Sequence, residues 1–379
     1  MNKKLNSNIV KEKLVEYGIS QTSLSSSLGI SKQSVSLWLK NETFPRPAEL
    51  LKLGKFLKLK YSELVEENKE FEPQVAFRKV GTAKTKEIHI KKAKELGYAL
   101  ENLVEFLPDE MMIKSGELKE PKNEYKYLQS VSSLMRNKFG INKLEVSFDE
   151  VINILNSFKA ILIPVMLSDK KNHENAIHIF LPKSQTTWIY INLDTKIFDF
   201  KFWLANELGH ILSPSLKEKE AEDFADNFAG AFLFPEEAAQ KKYYSFFKLK
   251  DAAKIISSII KTAEELIISP ITILTQVNQF AKRNNLEEID LGNSFYAANT
   301  NFNKNYELIS DNLFQNKKPT VSEFIKISET TFETIFFKLL KDYNLKYKLN
   351  ANYISSLINI PYIDSVEIFN YIVKQNGTN

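Results

Sequence analysis

The spacing of apolar positions along the chain predicts mostly helix, with one interruption of a different period. Leu5, Ile9, Val10 and Leu14 fall at helical spacing and predict a first helix over 5–15. Ser20 is a suitable N-cap for a second helix over 21–28, and Gly29 supplies the left-handed turn that ends it. Ser31 caps a third, whose inward side is Val35, Trp38 and Leu39, and Asn41 closes it in the left-handed conformation. Pro47 suits the first turn of a fourth helix reaching residue 57. Acidic residues over 63–72, ending at Pro73, read as a linker. Helical stripes follow over 75–107, 125–139 and 148–158. Between 160 and 193 the period falls to two. Residues 160–166, 177–181 and 187–193 read as strands, the last with Trp188, Tyr190 and Asn192 alternating against Ile189 and Ile191.

Helices resume as a pair over 202–235, then over 243–260, 263–268, 271–284, 321–343 and 351–373. Residues 291–318 are rich in Asn, Asp and Tyr and read as an extended or irregular link. The aromatic residues Phe324, Phe332, Phe336, Phe337 and Tyr343 read as core. The expected fold class is mainly α with a small β-sheet. The expected domains are a helical bundle at 1–68, a helical linker region at 69–145, an α+β domain at 146–245 and a helical region at 246–379.

Composition narrows the picture. At 379 residues the chain holds two or three domains, at ~100–200 residues each. Cysteine is absent, which excludes disulfides and thiolate-held zinc and fits a reducing cytoplasm. No apolar run follows Lys3 and Lys4, and no stretch approaches the ~20 apolar residues of a membrane helix, so neither a signal peptide nor a membrane span is expected. Net charge is +4 and uneven: residues 1–60 hold ten Lys and one Arg against four Glu, leaving the remainder mildly acidic. A basic end on an acidic body points to a polyanion partner at the N-terminal side.

Short helices joined by a tight glycine turn are the mark of a helix-turn-helix. The spacing of Gln21, Leu24, Gly29, Ile30, Ser31, Val35, Ser36 and Trp38 resembles the XRE (Cro/repressor-like) DNA-binding domains. The resemblance implies that the helix begun by Ser31 enters the major groove of double-stranded DNA, N-terminal residues first. That turns Lys32, Gln33, Ser34 and Ser36 toward base edges and phosphates, with Gln21 near the backbone at a helix N-terminus. It also implies a homodimer on paired half-sites. The alternative is a small bundle serving dimerisation only; an exposed face of Lys, Gln and Ser weighs against it.

The stretch FWLANELGHILSPSLKEKEAEDFADNFAGAFLFP, residues 202–235, carries a second constellation. Asn206 and His210 share one helix face, Glu207 sits beside them, and Glu222 and Asp226 are four apart on the next helix. Zinc peptidases use two side chains from one helix and a carboxylate from the next, leave the fourth position to water, and set a Glu beside the first ligand as base. Here Asn stands where that motif has His, and an amide oxygen is a neutral, poorer zinc ligand. The string A-N-E-L-G-H followed by E-x-F-A-D-x-F-A-G-x-F-L-x-P resembles the ImmA/IrrE family of zinc-peptidase-like proteins. The resemblance implies a zincin-like domain with His210 and, as third ligand, Glu222 on zinc, Asn206 in the first ligand's place, Asp226 as its hydrogen-bond partner and Glu207 as catalytic base. An E-x-x-H pair on an amphipathic helix also arises by chance. His173 and His178 flank the strands; either could replace the lost ligand, and spacing selects neither.

Two function classes follow. One is a DNA-binding transcriptional regulator whose peptidase-like domain has lost its metal; the family resemblance adds an antitoxin role, with a small toxin or repressor protein as partner. The other is an active zinc metallopeptidase that cleaves a repressor, with Glu207 as base. A third, plainer reading keeps DNA binding alone and treats the rest as dimerisation mass.

Overall fold

The computed structural model describes all residues except 1–2, 68–71, 80–86, 113–115, 167–173, 316, 359–361 and 377–379. Contacts divide the chain into two units, Met1–Glu72 and Pro73–Asn379.

In the first unit the local signals decide the elements. Helix α1 spans Ser7–Glu16, α2 Gln21–Leu28, α3 Lys32–Leu39, α4 Pro47–Leu57 and α5 Tyr61–Leu64. Ser20 Oγ accepts from the Ser23 amide at 3.1 Å and so starts α2. Gly29, at φ 70°, ends it by returning its amide to the α2 carbonyls. Ser31 Oγ accepts from the Ser34 amide at 3.0 Å and starts α3. Asn41, at φ 59°, turns the chain out. Val10, Leu24, Val35, Trp38, Leu53 and Leu57 are buried together as the core.

The acidic stretch expected to be linker is partly structured. Strand β2, Val65–Glu67, pairs antiparallel with β1, Lys3–Leu5, setting Lys3 opposite Glu67 and Lys4 opposite Glu66. A three-residue strand whose partner lies some sixty residues away leaves no periodic trace in sequence.

The second unit is built on a four-stranded sheet of order β3-β5-β6-β4, with β3 Gln74–Lys79, β4 Ala160–Val165, β5 Glu174–Leu181 and β6 Thr186–Asn192. The β3–β5 and β5–β6 pairs are antiparallel and β4–β6 is parallel. Both faces are covered. Leu162, Ile189 and Ile191 enter one core, and Ile163, Trp188 and Tyr190 enter the other. The period-two alternation in β6 therefore separates two buried faces rather than core from solvent.

Helices account for the rest: α6 Glu87–Leu100, α7 Tyr125–Lys138, α8 Phe148–Ser157, α9 Ile197–Leu212, α10 Glu218–Leu233, α11 Glu236–Leu249, α12 Ala252–Leu266, α13 Pro270–Arg283, α14 Gly292–Lys304, α15 Ile309–Phe314, α16 Val321–Phe332, α17 Phe336–Tyr347, α18 Ala351–Ile358 and α19 Tyr362–Asn376.

The helix expected over 75–107 is corrected in its first part, where β3 lies; its latter part is α6 followed by a 3-10 turn, Glu101–Phe106. The helix expected over 243–260 is two, broken where Lys250 adopts φ 53° and Asp251 caps α12. The link expected over 291–318 contains α14 and α15. Its Asn-rich composition is poor for helix, but Phe295 and Phe302, seven apart, bury on one side and override propensity.

Candidate functional site

The first candidate surface is the start of α3. Gln21, Ser31, Lys32 and Gln33 are exposed, whereas Ser34 and Ser36 are half-buried. Ser31 and Ser34 share a hydroxyl–hydroxyl hydrogen bond at 2.8 Å, and Ser31 Oγ also caps the helix. Their side chains therefore stabilise the helix start, and Lys32 and Gln33 are the long polar groups projecting from it. Unpaired amides and the positive end of the helix dipole at this N-terminus favour a phosphate, and the exposed cation adds to that field.

The second site lies between α9, α10 and β5. Helix α9 is apolar nearly all round and buried, as expected of a helix through the middle of a domain. Helix α10 packs against it through small residues. A Cβ placed on Gly209 would stand 2.7 Å from the Ala225 Cα, so glycine permits the approach. That approach runs the helices antiparallel and matches their polar residues in pairs. Asn206 Nδ2 donates to Asp226 Oδ1 at 2.7 Å, and His210 Nε2 lies 3.7 Å from Glu222 Oε1. The four residues singled out on α9 and α10 for ligand or partner roles thus come together as two pairs.

Glu207 points to the sheet. Its Oε2 lies 2.9 Å from His178 Nδ1, and both side chains are buried. Against an ionised carboxylate, which only accepts, the imidazole Nδ1 would be the donor of this bond. The rings of His178 and His210 have centroids 5.4 Å apart. Both rings line a cavity of about 40 Å³, together with Phe158, Lys159, Thr187 and Pro214.

His178 is the site residue that spacing did not select. Its sequence signal is a lone imidazole inside an apolar strand, A-I-H-I-F, too common to choose it before β5 is placed beside α9. His173 lies outside the described residues.

The donor chemistry is compatible with zinc: two imidazoles and a carboxylate are a known zinc set. Asn206 adds an amide Oδ1 that is buried and has no hydrogen-bond partner among the described residues. Such an atom costs about 1–3 kcal/mol unless something satisfies it. As they stand, no three His, Asp or Glu among the described residues form a metal-holding group; the donors stand in pairs.

Comparison with known proteins gives one result. Residues 10–64 match the model of a helix-turn-helix family. No curated protein and no solved structure matches the chain. The match covers α2 and α3 with their caps and supports a DNA-binding regulator. Among the described residues no helix is long and apolar enough to cross a membrane.

Proposed function

From the helix-turn-helix match over 10–64 and the polar start of α3, we propose that this protein is a sequence-specific regulator that reads double-stranded DNA as a homodimer. The observation that carries the reading is the exposure of Lys32 and Gln33 on the first turn of a capped helix. Gln33 reads an adenine edge, Lys32 a guanine or a phosphate, and Gln21 steadies the backbone. Leu51 and Tyr61 are exposed on α4 and α5 beside an apolar groove; they offer a face for the second copy that paired half-sites require.

The second unit fits a zincin-like domain of the ImmA/IrrE type turned to binding rather than peptide cleavage. Asn206, an amide where the resemblance expects a zinc-binding imidazole, favours that reading, as does the engagement of Glu207 by His178. A small toxin or a repressor protein is the partner class such a domain would serve.

Selection of bound duplexes from a random library by the full chain tests the DNA reading. An enriched, two-fold symmetric site is expected. Gln33→Ala should cost ~1–3 kcal/mol at one position of that site, whereas Lys32→Ala should weaken all duplexes alike and lower the salt slope by ~1. Absence of any enriched site, or unchanged binding by Gln33→Ala, overturns it.

A further inference from the structure

We propose that His178 completes a divalent-metal site in this chain, with His210 and Glu222, and that Glu207 positions His178 instead of acting as a base. The inference concerns the second unit only and stands or falls apart from the DNA reading.

The first support is orientation. His178 Nδ1 is held by Glu207 Oε2 at 2.9 Å, so Nε2, on the other side of the ring, is the nitrogen left to face an ion. A carboxylate behind the far nitrogen is how metal-bound imidazoles are commonly held. The second support is spacing. Two imidazoles bonded to one zinc at ~2.0–2.1 Å put their ring centres roughly 5 Å apart, and a nitrogen and a carboxylate oxygen sharing that ion lie about 3.3 Å apart. The rings of His178 and His210 are 5.4 Å apart, and His210 Nε2 lies 3.7 Å from Glu222 Oε1. Both separations are close to those that donors sharing one ion require.

The third support is independent of both. Asn206 is fully buried and its amide nitrogen is committed to Asp226, yet Oδ1, on the other branch of the amide, has no hydrogen-bond partner among the described residues. A cation beside it would relieve that cost. The imidazole pair selects an ion of the zinc or cobalt class over magnesium or calcium, which take oxygen donors.

The test uses the tag-free full chain and cobalt(II), read by its visible absorption, with zinc per chain by elemental analysis. One ion per chain with the intense absorption of a four-coordinate site is expected. His178→Ala should abolish the signal, and Glu207→Gln should weaken affinity about 10–100-fold. Far-UV circular dichroism and a thermal melt report whether each variant is folded. The double variant His178→Ala/Asn206→His guards against a fold defect: recovery of the cobalt signal in it shows that the pocket is intact and that His178 supplied the missing ligand. A parent that takes up no stoichiometric ion, while Asn206→His does, overturns the proposal. Equal affinity in the parent and His178→Ala also overturns it.

Discussion

Gly209 meets Ala225 at the crossing of α9 and α10, where a Cβ on residue 209 would lie 2.7 Å from the Ala225 Cα and 3.1 Å from its Cβ. The obstacle includes backbone, so no rotamer change relieves it. Gly209→Ala should destabilise the second unit by about 1–3 kcal/mol, the usual cost of forcing a methyl into a close-packed interior. Adding Ala225→Gly removes the Cβ but leaves the Cα, so rescue should be partial. Urea denaturation of the three chains checks this; an unchanged midpoint for Gly209→Ala would show that the helices part freely.

Lys201, also on α9, is fully buried, donates to the Leu266 carbonyl at 2.7 Å and lies 4.0 Å from Glu145. Burial pushes its pKa down from 10.5 to about 8, against the opposing pull of Glu145. Between those values the unfolded chain holds a proton that the folded chain has lost, so stability from this group rises with pH through that window. Below about pH 8 the fold carries the whole penalty, about 3 kcal/mol. The stability of Lys201→Met relative to the parent should therefore be higher at pH 7 than at pH 10, by about 2–3 kcal/mol. Loss of the Leu266 contact is common to both pH values and cancels. Denaturation at the two pH values measures it, and an equal difference at both would refute a neutral buried lysine.

Ser31 caps α3 and binds the Ser34 hydroxyl. Ser31→Ala should cost about 1 kcal/mol, confined to the first turn of α3. Amide exchange at Ser34 should quicken while Ser23, capped by Ser20, keeps its protection. Equal quickening at both would mean that the two helices open as one.

Trp38 is buried at the centre of the first unit. Trp38→Ala should cost about 3–5 kcal/mol there. Contacts divide the chain at Glu72 and Pro73, so the second unit should keep its own melting transition while DNA binding is lost. Calorimetry would separate two transitions; a single lowered one would show that the units melt together.

The elements of the first unit were legible because their signals are local. Ser20, Gly29, Ser31 and Asn41 each occupy the capping or turn position that their chemistry suits. The pairing of β1 with β2 was not, since it depends on residues far apart. In the second unit β4, β5, β6 and the α9–α10 pair were legible from period and motif, whereas β3 was not, its residues reading as the start of a helix. The break at Lys250 was hidden because a lysine at φ 53° carries no sequence mark. Helix α14 was hidden because the burial of Phe295 and Phe302 outweighs a poor composition. The four-residue spacing within each of α9 and α10 could be written down from the sequence, while the pairing across them came only as an implication of the family resemblance. His178 could not, because its partnership with Glu207 exists only once the sheet has formed.

The short ladder joining Lys3–Leu5 to Val65–Glu67 brings the two ends of one segment side by side. Residues 3 to 67 therefore leave and return at a single edge. Such a segment behaves as a cassette: it can be lifted out, set into a loop of another protein or circularly permuted with a short bridge, and its helices need not rearrange.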